Sequence, residues 1–456
     1  MRKLVKFFVI AAVVVFCGPM WADAQNIIHD LQPTSSEYSI IRNYKDGVDI
    51  CFTVNTCQEY CFTYIDRNGG IIRKASFPCE LLYIHDFQVM DGRVYFCAQS
   101  GLDAIIGWFD IAGVFFSGDS IHYKELTTNF SQNPLINGPD EINLLTRLKV
   151  TKCNGDIHMV MLGTGRTSDG HNIGTYSAIV DAWTTNLYDW TYEYSLDYYN
   201  TVCYDDLTIT DNYVVVAAHK IDAVDYMGSC LFYYSLPTSS NQSIFYPLSS
   251  GYSPFTAPYS QTSSSIIYCN VFHPQHITNL GGDSIAVVCD AVAGSSYETV
   301  VSLYANPSTA PFSRFSYVPA GSYNYGYKEI AFDKIKQSLL MLLNQHNILE
   351  CYNLINGYVD VYETNTDYIW MSLDDTWGKG GAILSGTNPM IGAMLSLWRF
   401  GENIDACVNS YQINITPINK GVTRKDKTLF VEYYLLRIGG FVPNISSHTF
   451  NVECHY

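Results

Sequence analysis

The chain has 456 residues and a formal charge of −17; 36 residues are tyrosine and only 15% are charged. The acidic excess repels phosphate backbones and anionic headgroups, which argues against nucleic acid or anionic lipid as partners. So many aromatics argue against a disordered chain and suit β-structure, where such side chains pack well on pleated surfaces.

In chain order the first element reads as an export leader. Arg2, Lys3 and Lys6 precede the apolar run Phe7–Phe16, and Ala22-Asp23-Ala24 supplies the small residues of a cleavage site. The apolar run is shorter than the roughly 20 helical residues that span a bilayer. Phe16 is too bulky to precede a lipidated Cys17. Cleavage is expected after Ala24, giving segments 1–24 (signal peptide), 25–416 (repeats) and 417–456 (C-terminal strands). The mature chain is expected in the periplasm, on the cell surface or outside the cell. No later stretch is apolar enough for a transmembrane helix.

Fourteen cysteines include Cys17, so an odd number would remain after cleavage. In an oxidising compartment some should pair, and the cluster Cys51, Cys57, Cys61 and Cys79 is where a disulfide is expected. That cluster has no paired C-x-x-C and no ligand histidine nearby, so a metal site is not expected there. Cys97, Cys289 and Cys351 lie in apolar strands, where cysteine serves as a small buried hydrophobe.

Internal repetition is the most informative feature of the chain. A short apolar strand recurs seven times: Val48–Val54, Arg93–Gln99, Ile157–Gly163, Tyr213–His219, Ser284–Asp290, Ser338–Asn344 and Gly380–Gly386. Each copy is followed by an aromatic-rich strand, from Tyr60–Ile65 to Ala393–Phe400. Most are preceded by a strand that ends in an Asp-Gly, Asn-Gly or Gly-Gly turn, the residues that tight hairpins need. A fourth strand usually follows, as in Ile71–Ser76, Arg314–Val318, Tyr358–Glu363 and Ser410–Thr416. Four antiparallel strands repeated in this way predict an all-β fold, a β-propeller of seven four-stranded blades. The unbroken apolar character of the second strands fits sheets covered on both faces. Strands Thr428–Leu436 and His448–Tyr456 form a C-terminal extension expected to close or cap the ring. A membrane barrel fits less well, because its strands should alternate apolar and polar residues over about ten positions.

In a propeller, the connections after second strands and those between blades share one face, and binding residues are expected there. The inter-blade connections carry Tyr198, Tyr199, Tyr252 and Tyr259, whose flat rings suit stacking on sugars or gripping peptides. The connections after second strands bring Arg166, Asp169, His171, His219 and Asp222 to the same face. Such groups suit a polar ligand, or a general acid and base. Turn formation and loop packing are the blander account of the same residues.

No catalytic motif, metal motif or cofactor motif is found. Gly163–Ile173 lacks the Lys-Ser/Thr of a phosphate loop, and neither G-x-S-x-G nor H-E-x-x-H occurs. Ser372–Trp377 and Thr167–Gly170 only partly match the Asp-box of sialidase-type propellers. Val94–Ala98 (VYFCA) followed by Ile105–Ile111 (IIGWFDI) resembles uncharacterised exported β-propeller-like proteins of Bacteroidota. That resemblance implies fold and export and transfers no site residue. The reading is a non-enzymatic secreted or surface-associated propeller that binds a glycan or protein. The alternatives are an extracellular carbohydrate-active hydrolase or lyase using acids and His near the channel, and a structural partner in a surface complex.

Overall fold

The computed structural model describes residues 27–31, 36–45, 47–55, 60–66, 70–76, 82–101, 103–126, 141–168, 173–196, 202–220, 229–245, 255–256, 268–269, 275–293, 296–309, 311–317, 327–343, 348–363, 367–374, 380–388, 392–400, 413–414 and 451–452. The leader and strand Thr428–Leu436 lie outside these residues, as does His448–Tyr456 apart from 451–452.

The first strand, β1 (Ile27–Leu31), stands apart from the strands that follow it. Next come β2 (Ser36–Lys45), β3 (Val48–Asn55), β4 (Tyr60–Ile65) and β5 (Ile71–Ser76), an antiparallel sheet in simple sequential order. The same order recurs in β6 (Leu82–Met90), β7 (Arg93–Ser100), β8 (Asp103–Asp110) and β9 (His122–Glu125). It recurs again in β10 (Glu141–Cys153), β11 (Asp156–Ser168), β12 (Ile173–Thr184) and β13 (Thr191–Leu196). A further sheet holds β14 (Val202–Ile209), β15 (Tyr213–Lys220), β16 (Ser229–Ser235) and the short β17 (Phe255–Thr256).

The next sheet has an interrupted first strand. Both β18 (Tyr268–Cys269) and β19 (His276–Gly281) pair with β20 (Ser284–Ala293), followed by β21 (Ser296–Tyr304) and β22 (Ser313–Tyr317). Then come β23 (Tyr327–Asp333), β24 (Ser338–Leu343), β25 (Ile348–Asn353) and β26 (Val359–Glu363). The last sheet has β27 (Asp367–Leu373), β28 (Ala382–Asn388) and β29 (Gly392–Phe400), and its outer strand is β1.

Each sheet's first strand lies beside the first strand of the next, through β2, β6, β10, β14, β19, β23 and β27, and β27 lies beside β2 again. The chain is an all-β β-propeller. Ser410–Thr416, expected as an outer strand, is described only at β30 (Ile413–Asn414), which pairs with β31 (Asn451–Val452). The outer position of the last sheet belongs to β1, so a strand from the start of the chain fastens the end of the ring.

The second strands explain the apolar repeats. Along β7, Val94, Phe96 and Ala98 face the sheet before, while Tyr95 and Cys97 pack against the sheet after. In β11, Val160 and Leu162 join one cluster, and Met159 and Met161 the other. The pattern continues through β15, β20 and β24. It closes where Ala382 and Leu384 face β24 while Ile383 joins the cluster of the first sheet. Successive side chains on a strand point to opposite faces, so a strand buried on both faces is apolar along most of its length. Each fully buried Ile, Leu or Phe contributes about 1.5–3 kcal/mol by leaving water.

Turn chemistry follows the sequence reading. Asp91 and Gly92 have φ of 50° and 77°, and Asn154 and Gly155 have 47° and 92°. Two consecutive residues with positive φ make the turn whose twist matches two paired strands.

The cysteine expectation needs correction. Among the described residues no disulfide joins Cys51 to Cys61. Cys51 lies opposite Thr63, and Cys61 opposite Thr53, so neither faces the other across the β3–β4 ladder. Cys57 and Cys79 lie outside the described residues.

Gly107 faces Phe96 across the β7–β8 ladder, and a Cβ there would sit 1.9 Å from the Phe96 ring. The ring fills the space the glycine leaves, beside Phe62 at 6.1 Å. Gly107→Ala is therefore expected to destabilise the fold by about 1–3 kcal/mol through overpacking. A urea unfolding curve reads this directly; an unchanged midpoint would mean that Phe96 does not occupy that space.

Candidate functional site

The first strands line the centre of the ring, and most carry a bulge there. Register shifts fall between Ile84 and Asp86, Leu145 and Arg147, Tyr204 and Asp206, Tyr327 and Glu329, and Tyr368 and Trp370. The residue just after each bulge is charged or aromatic, and together with Arg42 and His276 these side chains build a polar network around the axis.

Arg42 is its hub. It donates to Asp86 Oδ1 at 2.8 Å, lies 3.4 Å from Glu329 Oε1, and also donates to the carbonyls of Phe87 and Met371. Burial opposes its charge, but Glu329 and Asp86 outweigh that and raise its pKa. Arg147 reaches the Lys328 carbonyl on β23 at 3.2 Å, a bond between sheets far apart in chain order. Both guanidinium groups lie over the Trp370 ring, at 5.1 and 5.3 Å from its centroid. Planar guanidinium groups stack well on aromatic faces.

The carboxylates of this network share a second task, each accepting from a backbone N–H of the next sheet. Asp86 Oδ2 accepts from Leu148 N at 2.9 Å, Asp206 Oδ2 from Ile277 N at 3.2 Å and Glu329 Oε2 from Met371 N at 2.8 Å. The Gln88 side chain does the same for Val150 N at 3.0 Å. His276 Nδ1 lies 3.4 Å from Asp206 Oδ2. Burial pushes the Asp206 pKa up, but His276, Arg147 and Lys149 outweigh it and bring it down to about 2.

A second constellation lies where β14 begins and β15 ends, on the face shared by second-strand connections and inter-blade connections. His219 Nδ1 sits 2.8 Å from Asp205 Oδ1 and 2.9 Å from Oδ2. Cys203 lies directly across the ladder from His219. Burial would lower the His219 pKa, but Asp205 and Cys203 reverse that and push it up to about 10. Asp205 is raised by burial, against the pull of His219, of the Gln275 N–H at 3.2 Å and of His276. Gln275, itself 1% exposed, donates from Nε2 to the Ala218 carbonyl at 3.0 Å; its Oε1 has no partner among the described residues.

Of the residues expected to bind a ligand, His219 takes part in this cluster. Arg166 lies near the end of β11, opposite Glu141 and Thr175, and so belongs to the same face. Asp169, His171, Asp222, Tyr198, Tyr199, Tyr252 and Tyr259 lie outside the described residues. Cys203 and Asp205 were missed, because the sequence reading assigned this stretch to an inter-blade connection. No group of three or more His, Cys, Asp or Glu able to hold a metal occurs among the described residues. None of their helices is long and apolar enough to cross a membrane.

No protein-family model matches the chain, and no curated protein matches it in sequence. Among solved structures it is similar to the β-propeller domain of the Trilobed protease from Pyrococcus furiosus, at 8% identity over 80% of this chain and 95% of that one, with a TM-score of 0.47. It is also similar to YCF48 from Cyanidioschyzon merolae, at 10% identity over 82% and 99% with a TM-score of 0.45. The hydrazine synthase of Kuenenia stuttgartiensis gives 12% identity over 79% and 94%, with a TM-score of 0.46. Likeness at these identities concerns architecture, and no residue role is transferred from it.

Two outcomes follow from the axial network. Asp86→Ala leaves Arg42 one carboxylate poorer and Leu148 N–H without its acceptor; the expected loss is about 3–5 kcal/mol, measured by chemical unfolding. The Asp206 pKa is depressed in the folded state, so its stabilisation is full above its unfolded value of about 4. It is lost as pH falls through about 2. Asp206→Asn should flatten the fall in melting temperature over that acid window, and an unchanged acid slope would remove Asp206 from the network.

Proposed function

We propose that this chain is an exported recognition propeller of seven blades, which binds a glycan or a protein through its loop-bearing face. The observation that carries the reading is the commitment of the axial carboxylates. Asp86, Asp206 and Glu329 each hold a backbone N–H of the next sheet and pair with Arg or His. A general acid needs a raised pKa and a general base a free lone pair, and Asp206 with a pKa of about 2 offers no proton near neutrality. The axial groups thus act as structural ties, which weakens the hydrolase or lyase alternative in its channel-acid form. Ligand recognition then falls to the long connections expected to carry Tyr198, Tyr199, Tyr252 and Tyr259, and to Arg166, Asp169, His171, His219 and Asp222.

Seven blades accord with the ring of first strands from β2 round to β27, and with β1 fastening the last sheet. Export rests on the Arg2–Ala24 leader pattern alone. The test is a glycan array and a surface-protein panel probed with the purified protein, read for retention and for released products. Retention without products, weakened at least tenfold by Tyr252→Ala or Tyr198→Ala, is the expected outcome. Sugar release that survives both substitutions would overturn the binding reading.

A further inference from the structure

Each sheet of the ring ends on an outer strand, and no described strand is bonded along its far edge. Such an edge is a row of backbone donors and acceptors open to another chain, and proteins guard it with charged side chains, prolines or bulges. Among the described residues, β5, β9 and β26 are the outer strands that carry an exposed large apolar side chain. In β5, Ile72 stands beside Arg73 and Lys74, and the β4–β5 ladder is irregular between Tyr64 and Ile65. In β9, Tyr123 stands beside Lys124, whose ammonium donates to the Trp190 carbonyl of the next sheet at 2.7 Å. The β26 strand (VDVYE) has neither guard. It holds no Lys, Arg or Pro, its ladder with β25 is unbroken, and Val361 at its centre is 42% exposed.

The register says which backbone groups of β26 are open. In an antiparallel ladder, opposed residues alternate between pairs that bond each other and pairs that turn their N–H and C=O outward. Asn353 N–H donates to the Tyr358 carbonyl, one step before the pair Tyr352 and Val359. The next bonded pair is therefore Cys351 with Asp360, and Val359, Val361 and Glu363 direct their N–H and C=O away from β25. The hairpin that leads into the strand is already set. Asn353 Oδ1 accepts from Ile355 N at 2.9 Å and from Asn356 N at 3.1 Å, and Asn356 Oδ1 accepts from Tyr358 N at 2.9 Å. It holds Ile355 and Tyr358, 78% and 72% exposed, beside the open edge. A contact made here orders little that is not ordered beforehand, which lowers its entropic cost.

We infer that β26 is a self-association edge, on which a second copy of this chain lays its own β26 antiparallel about a two-fold axis at Val361. This register engages all the outward residues: Val361 bonds Val361 of the other copy, and Val359 and Glu363 bond each other. It sets Asp360 opposite Tyr362, so no two acidic residues oppose one another, and like charges directly opposed are what destabilise a pair of strands. The two Val361 side chains meet over the axis and leave water together. A two-fold contact of one surface with itself closes on two copies and does not propagate. The edge lies on the rim of the ring and uses none of the residues assigned to ligand binding, so it stands or falls apart from that reading.

One strand from each copy makes an interface below the roughly 1,200 Å² of stable complexes, so the equilibrium is sought by sedimentation of the purified protein from about 1 μM to about 1 mM. The expected result is a monomer–dimer equilibrium that goes no further. Val361→Pro should weaken it by about tenfold or more, because proline removes an N–H that points away from β25 and leaves the bonds within the sheet intact. Val361→Lys brings two like charges face to face at the axis and serves as the second variant if the proline alters the melting curve. Hydrogen exchange of the peptide 354–366 should slow as wild-type concentration rises, and in neither variant. A chain that is monomeric throughout, a dimer that survives both substitutions, or growth beyond the dimer would overturn the proposal.

Discussion

The structure depends on satisfying the inner edge of each first strand. Such a strand pairs with its second strand on one side, and no strand is hydrogen-bonded along its other edge, which faces the axis. Buried backbone N–H groups without partners are costly. Asp86, Gln88, Asp206 and Glu329 meet that demand by reaching across to N–H groups of the next sheet. Carboxylates gathered at the axis would repel one another, and Arg42 and Arg147 answer that charge while stacking over Trp370. One constraint thereby accounts for the acids, the arginines and the tryptophan together.

The bulges make this possible. A bulge adds one residue to a strand and re-aims the side chains beyond it. Beside β15, the bulge between Tyr204 and Asp206 has two consequences. It turns Asp206 toward Ile277 and His276 on the next sheet, and it leaves Asp205 as the extra residue, bonded to His219. The same irregularity thus supplies a structural tie and the carboxylate that holds His219. Further polar ties serve the other face: Asp283 bonds Thr210 and Asn212, and Asp333 bonds Gly381 N–H. Buried His158 and Asp181 make a comparable pair, with Asp181 also accepting from Ile244 N–H. The stability of the ring and the polarity of its faces therefore draw on one vocabulary of short carboxylate contacts.

Much of the fold was legible in the residues themselves. A strand covered on both faces is apolar at nearly every position, and runs such as Tyr213–His219 and Ser338–Asn344 said so directly. The turns at Asp91–Gly92 and Asn154–Gly155 declared themselves because few other residue pairs adopt two positive φ angles. His219 was legible as a polar group ending an apolar strand. Cys203 and Asp205 were not. Counting back from the hairpin, Ile209 faces Val214 and Asp206 faces Ala217, which would set Tyr204 against His219. The single bulged residue shifts that ladder and puts Cys203 there instead. Nor did the cysteine count reveal that Cys51 and Cys61 lie on adjacent strands without facing each other.

The sequence by itself determined the strands, their hairpin turns and their repetition, because burial on both faces and positive φ are local demands on residue type. Tertiary structure decided which ends of the chain meet, with β1 completing the last sheet, because pairing across the whole chain leaves no periodic trace. It also decided which acids became ties and which one came to hold an imidazole. That choice rests on register and on contact across neighbouring sheets, where a shift of one residue redirects every side chain beyond it.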